Sequence, residues 1–207
     1  MDNKLGVCGT IDYLARLLAF SIRGNTEQIA ERLVERFGSI DLMVSAREEE
    51  LSLIEGMTPG AVALLKIASA VTSRRITDEF VFGRVCTEAE ITDYLVGLYL
   101  GVTVETVYML IFDEMGRVTS LEYMGEGTVG ASDVYPRKLL EAAIKQRASA
   151  VILAHNHPRG HGKPSKEDVC ATERLVRLFK NAGIDFLAHY IISERDVGKV
   201  VLSEEDR

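Results

Sequence analysis

Apolar residues recur every three or four positions through the first third of the chain, a spacing that predicts amphipathic helices. Asn25 or Thr26 can cap the start of one segment, and Gly38 ends it. Pro59 lies near the start of a longer segment, where proline is tolerated. The pattern predicts a bundle of about five short helices, over residues 12–21, 26–37, 40–44, 47–54 and 56–74.

The spacing changes in the second half, where apolar runs alternate with helical segments. Thr87 and Glu90 form a capping box for a helix that ends at about Leu98. The remaining elements are strands at 103–113, 117–124, 148–157, 185–193 and 199–203, and helices at 135–147 and 165–181. This order predicts an α/β (α+β) fold in which a mixed sheet is flanked by helices.

Residues 74–84 (RRITDEFVFGR) break the helical spacing and separate the two patterns. We therefore predict a helical domain over residues 1–78, a linker over 79–84, and a second domain over 85–207.

Composition narrows the class of protein. The chain has 207 residues, and no run of eighteen apolar residues could form a membrane span. The N-terminus lacks the basic region and apolar core of a signal peptide. Three widely spaced cysteines, with no CxxC pair, fit a reducing compartment. We expect a cytoplasmic protein with no membrane partner.

Charge bears on nucleic-acid binding. The net charge is −7, and residues 1–80 carry nine Lys and Arg against twelve Asp and Glu. Phosphate binding usually needs a basic excess. DNA remains a possible partner that the charge does not support, and the sequence does not indicate an oligomeric state.

The segment AHNHPRGHGKPSKED, residues 154–168, concentrates metal-binding chemistry. His155 and His157 are two apart at the end of a predicted strand, so both side chains point to the same face. Ser165 is at the N-cap of the next helix, with Asp168 three residues on. Two imidazole nitrogens and one carboxylate oxygen suit Zn²⁺ and leave a fourth position for water. We predict one Zn²⁺ per chain.

A hydrolytic site also needs a base near the metal. Glu105 stands out because it begins an apolar strand that should be buried, where an acid is costly. Ser165 is placed to donate a hydrogen bond to a developing oxyanion. The other candidate bases are Asp113, Glu114, Glu122 and Glu126.

Each feature has a simpler interpretation. Ser165 and Asp168 also match a capping box. Many surface pairs of histidines bind nothing, and Glu105 could be a solvated residue facing an arginine. His161 is interpreted as a loop residue and His189 as a sheet residue. The combination of HxHP, a glycine-rich turn and PSxxD within fourteen residues favours a site.

HNHP followed by PSxxD resembles the signature of the RadC family, the prokaryotic branch of the JAMM (MPN+) metalloproteases. Residues 104–118 and 125–144 resemble further family segments, and residues 21–65 are similar to its helical domain. The resemblance implies a cytidine-deaminase-like JAMM/MPN sheet and an N-terminal domain like a helix-hairpin-helix. It also implies an old association with DNA repair.

In the JAMM family the signature residues divide into ligands and catalytic groups. The resemblance makes His155, His157 and Asp168 the Zn²⁺ ligands, Glu105 the general base, and Ser165 a residue that stabilises the tetrahedral intermediate. It implies hydrolysis of a peptide or isopeptide bond in a protein or peptide substrate.

The chain departs from the family pattern at three positions. Arg159 replaces a small residue beside the metal ligands, so we expect it to contact substrate. Ala188 replaces an aspartate, and Thr58 replaces a glycine in the hairpin that would bind phosphate.

Two other functions stay open at this point. One is a DNA-binding repair factor with a structural metal. The other is a metal-dependent nuclease, although the sequence shows no carboxylate cluster for two Mg²⁺ ions.

Overall fold

A computed structural model describes residues 3–126, 136–158, 160–193 and 196–201. The chain divides between Arg75 and Ile76 into two compact units. None of the helices in the described ranges combines the length and the apolar character that crossing a membrane requires.

The first unit is built from helices, as predicted. The side chain of Asn25 accepts a hydrogen bond from the backbone of Gln28, and Gly38 ends the same helix with φ of 78°. Buried leucines, including Leu14, Leu33 and Leu65, form the core of this unit. The helices are α1 (Asn3–Leu18), α2 (Thr26–Phe37), α3 (Ile40–Ser45), α4 (Glu48–Ser52) and α5 (Pro59–Glu79).

Two of these helices are longer than predicted. Helix α1 begins at Asn3, well before the predicted start at residue 12, and ends at Leu18. Helix α5 continues to Glu79, into the first half of the segment that we expected to break the helical spacing. No glycine or proline occurs between residues 61 and 82, so no residue there disrupts the backbone.

The second unit contains one six-stranded mixed sheet, which confirms the predicted fold class. The strand order is β1-β3-β2-β4-β5-β6. Strands β4 and β5 are parallel, and the other neighbours are antiparallel. The elements are β1 (Arg84–Val85), α6 (Glu88–Tyr99), β2 (Thr106–Phe112), β3 (Arg117–Glu126), α7 (Pro136–Lys145), β4 (Ala150–His157), α8 (Lys166–Asn181), β5 (Asp185–Ser193) and β6 (Val197–Lys199).

Two strands at the sheet edges differ from the prediction. Strand β1 was missed because its two residues, Arg84 and Val85, are too few to show an alternation, yet they pair with β3. The last strand was placed too late, at 199–203. Ser193 donates its backbone N–H to the carbonyl of Asp196, which closes a tight turn, so β6 begins at Val197.

Alternate residues of β4 face different helices. Val151 and Leu153 pack in the core formed with α7 and α8, where Phe179 is fully buried. Ile152 and Ala154 pack in the core formed with α6. By the same alternation, the histidines at the end of β4 lie on the α7 and α8 face.

Candidate metal centre

His155 and His157 end strand β4 with their rings close together. The Nε2 atoms of the two rings are 3.0 Å apart. His155 is completely buried, whereas the side chain of His157 is 18% exposed. The pair therefore presents two nitrogens to one point at the rim of the sheet.

Asp168, in the first turn of α8, brings a carboxylate to the same point. Its Oδ1 is 3.2 Å from Nε2 of His155, and its Oδ2 is 3.5 Å from Nε2 of His157. Ser165 holds the carboxylate, since its backbone N–H and its hydroxyl donate to Oδ2 at 2.8 and 2.6 Å. The Ser165 oxygen in turn accepts the Asp168 backbone N–H at 3.0 Å.

These distances fit a tetrahedral metal ion. With metal–ligand distances of about 2.0–2.1 Å, ligand atoms on a tetrahedron are about 3.3 Å apart. The three observed separations, 3.0, 3.2 and 3.5 Å, bracket that value. Within the described part of the chain, His155, His157 and Asp168 form the group able to hold a metal. The donors suit Zn²⁺ chemically.

Two titratable groups at this site, Asp168 and His189, have shifted pKa values. Burial would raise the pKa of Asp168, but its contact with the His155 imidazole and the hydrogen bonds from Ser165 outweigh it and hold the pKa well below its usual range. Burial lowers the pKa of His189, which contacts His155 and is fully buried. A charged carboxylate and a neutral imidazole therefore coexist at the centre.

The second ring nitrogen of His155 and of His157 also has a partner. Nδ1 of His157 lies 3.0 Å from the backbone carbonyl of His161, and Nδ1 of His155 lies 2.8 Å from Nε2 of His189. The imidazole of His161 is exposed, so His161 contributes its carbonyl and not its side chain. Such contacts fix the ring orientation of metal-binding histidines.

Glu105 lies beside the histidine pair, although it is not the buried acid that the sequence predicted. It precedes β2 and is partly exposed, so the argument from a buried acid was wrong. In the antiparallel register Val107 is opposite His155, which places Glu105 opposite His157. Glu105 and His157 line a cleft of ≈ 410 Å³ together with Thr103, Pro158 and Gly160.

Asn156 anchors the segment that carries Glu105, a function that we did not anticipate. Its Oδ1 accepts the backbone N–H of Thr106 at 2.7 Å, and its Nδ2 donates to the carbonyls of Val104 and Val102 at 3.0 and 3.3 Å. Both neighbours of Glu105 are thus tied to β4. The one signal in the sequence was a polar residue between the two histidines.

The remaining candidate acids lie elsewhere. Asp113 accepts hydrogen bonds from Arg117 in the turn after β2, at the opposite end of that strand from Glu105. Glu114 lines a separate cavity beside that turn. Glu122 accepts a hydrogen bond from Gln146, and Glu126 is exposed at the end of β3.

The three residues that depart from the family pattern lie in different parts of the chain. Ala188 packs in the α6 core with Ala154, on the opposite face of the sheet from the ligands, so its missing carboxylate does not face the metal centre. Thr58 caps α5, since its hydroxyl accepts the backbone N–H of Ala61. Arg159 lies outside the described residues.

Comparisons with known proteins show which sequences this chain is similar to. The family model described as a RadC-like JAB domain matches residues 85–206. A UPF0758 protein of Shewanella amazonensis is 33% identical over 189 residues, which cover 90% of this chain and 84% of the relative. A UPF0758 protein of Vibrio atlanticus is 32% identical over 189 residues, with 88% and 84% covered. One of Photorhabdus laumondii is 32% identical over 200 residues, with 93% and 87% covered.

Proposed function

The chain belongs to the RadC family, and on that premise we propose that it is a zinc-dependent hydrolase that cleaves peptide or isopeptide bonds. The observation that carries the proposal is the convergence of two imidazole nitrogens and a carboxylate, 3.0–3.5 Å apart, beside a cleft. His155, His157 and Asp168 would hold the ion. A Zn²⁺ ion at that point supplies Lewis acidity, which lowers the pKa of a water molecule.

Glu105 acts as the general base in this proposal. Glu105 lines the cleft and lies opposite His157 in the strand register, so its carboxylate can take a proton from water that attacks a carbonyl carbon. It then gives that proton to the leaving amine. The bonds that Asn156 makes to the segment keep Glu105 in place during both transfers.

Ser165 and Arg159 are assigned to substrate. Ser165 would donate to the oxyanion, which requires its single proton to leave Oδ2 of Asp168, its present acceptor. Arg159 follows His157 and Pro158 directly in the chain and would contact the substrate. The substrate class, a protein or peptide, and a cytoplasmic location are part of the same proposal.

Metal analysis separates the ligands from the base. The purified chain should bind about one Zn²⁺, His155→Ala and Asp168→Ala should bind none, and Glu105→Gln should keep it. His157→Ala is the decisive variant, since stoichiometric zinc in that protein would disprove the ligand assignment.

Hydrolysis needs its own test. A library of linear peptides and lysine-linked isopeptides, followed by mass spectrometry, should show cleavage by the zinc-loaded protein. Glu105→Gln should lower the rate by about 10²–10⁴-fold while zinc stays bound. Equal rates for the two proteins would contradict the role of Glu105.

A further inference from the structure

Three buried polar side chains form a continuous line that ends at the metal centre. The hydroxyl of Thr172, on α8, lies 2.6 Å from Nδ1 of His189, on β5. Nε2 of His189 lies 2.8 Å from Nδ1 of His155. All three residues are 0% exposed, so water does not compete for these contacts. Neither Thr172 nor His189 belongs to the ligand set or to the cleft.

The positions of the protons along this line follow from counting donors. The Thr172 hydroxyl donates to the backbone carbonyl of Asp168 at 2.6 Å, so toward His189 it can only accept. The proton of a neutral His189 ring is then on Nδ1, and its Nε2 is an acceptor. Nδ1 of His155 then carries a proton and donates it to His189. The reversed line would give Nε2 of His155 a proton to donate to Asp168 Oδ1 at 3.2 Å, but it would remove the 2.6 Å bond from Thr172 to the carbonyl, and the shorter bond favours the first assignment.

The proton positions determine whether Nε2 of His155 can bind a metal ion. With its proton on Nδ1, a neutral His155 has a lone pair on Nε2, the atom that faces His157 and Asp168. The reverse orientation of the Thr172 hydroxyl would reverse every bond in the line. It would place a proton on Nε2 of His155 and block that nitrogen as a ligand.

We propose that Thr172 and His189 are positioning residues that hold His155 in the Nδ1–H tautomer and so prepare its Nε2 to bind a metal ion. This inference rests on the proposed function, because it concerns the same ion. It assigns different anchors to the two imidazole ligands. His155 depends on a side-chain line through the core, whereas His157 depends on the carbonyl of His161 in the loop.

A purely structural function of the pair is the alternative. Thr172 makes the bond to the carbonyl four residues before it that threonines often make in helices. Thr72 in α5 makes the same type of bond, to the carbonyl of Ala68 at 2.9 Å. Thr72→Val is therefore a control for the loss of this helix bond alone, at an exposed position in the other compact unit.

The first test reads the tautomer directly. In the metal-free, full-length protein, two-bond ¹H–¹⁵N correlation spectra distinguish a proton on Nδ1 from one on Nε2. His155 and His189 should both show Nδ1–H. A proton on Nε2 of His155 in the wild-type protein would overturn the proposal, and this result does not depend on whether any variant folds.

The second test measures zinc affinity by competition with a chelator. Thr172→Val should weaken binding by about 10–100-fold, the usual effect of losing such an outer partner. Thr172→Ser keeps the hydroxyl and should bind like wild type, as should Thr72→Val. Wild-type affinity in a folded Thr172→Val protein would overturn the inference alone. Absence of zinc binding in the wild-type protein would instead overturn the proposed function.

Discussion

Each of the three side chains at the candidate metal centre is held by a different neighbouring group. His155 is held through His189, His157 through the carbonyl of His161, and Asp168 through Ser165. These anchors come from a strand, a loop and a helix cap. The loss of one anchor should therefore weaken metal binding without displacing the other two ligands.

Ser165→Ala tests one anchor. The change removes the cap of α8 and a hydrogen bond to Asp168, so it should cost about 1 kcal/mol of stability. It should also weaken zinc binding, because Oδ2 loses its closest donor. Thermal unfolding and chelator competition measure the two effects.

Ser39→Ala is the control for this change. Ser39 caps α3 by accepting the backbone N–H of Leu42 at 3.2 Å, in the other compact unit. Its loss should lower stability to a similar degree and leave zinc affinity unchanged. Equal zinc affinities for Ser165→Ala and wild type would show that the cap does not support the ligand.

The sequence revealed residues that act through local geometry. Two histidines at a strand end and an aspartate in the next helix turn are close in the chain, so their spacing predicted a common point. The functions of Asn156, Thr172 and His189 depend on which strands and helices become neighbours. No local pattern contains that information, so the contacts of these residues could not be predicted.

At the scale of elements, helices α6 and α8 begin with the same motif and use it differently. In α6 the capping box joins Thr87 and Glu90, and Glu90 also binds Arg84 at 2.7 Å. In α8 the box of Ser165 and Asp168 supplies a candidate ligand. The capping motif fixes a helix start in both cases, and the neighbouring strand decides what else it does.

Glu90→Gln should have a pH-dependent effect. Hydrogen bonds from Arg84 and Thr87 lower the pKa of Glu90 from 4.5 to about 2. A carboxyl group whose pKa is lower in the folded than in the unfolded protein stabilises the folded state at pH values above its ordinary pKa. This stabilisation is lost as the pH falls through the pKa of the folded state. The variant should melt below wild type at pH 7, and the difference should shrink between about pH 4.5 and 2. A difference that does not change with pH would contradict the assignment.

Element types were predicted better than element ends. Capping residues fixed the starts of α2, α6 and α8, because their hydrogen bonds are local. The predicted bounds of α5 and β6 were wrong, because no glycine or proline interrupts α5 after Gly60 and a turn at Ser193 sets the start of β6. The two-residue strand β1 exists only through its pairing with β3, and such pairing leaves no signal in the sequence.

At the scale of the whole molecule, charge bears on the DNA hypothesis, which stays a prediction. The net charge of −7 opposes phosphate binding. We expect no mobility shift of branched or single-stranded DNA at about 50 mM salt, where electrostatic binding is strong. A shift that weakens steeply as salt is raised would contradict this expectation and favour a DNA-binding function.

The division into domains also remains a prediction. We placed a helical domain at 1–78, a linker at 79–84 and a second domain at 85–207. The boundary between the two compact units falls between Arg75 and Ile76, within the range of helix α5. Helix α5 ends at Glu79 and strand β1 begins at Arg84, so the segment between them covers residues 80–83 and is shorter than the predicted linker.

X-ray absorption at the zinc edge tests the central claim most directly. The full-length protein, loaded with one equivalent of Zn²⁺, should show only nitrogen and oxygen neighbours at about 2.0–2.1 Å, with the scattering pattern of two imidazole rings. Glu105→Gln should give the same spectrum, because Glu105 is not a ligand of the ion in this account. A sulfur neighbour at about 2.3 Å, or a wild-type spectrum without the pattern of two imidazole rings, would contradict the account.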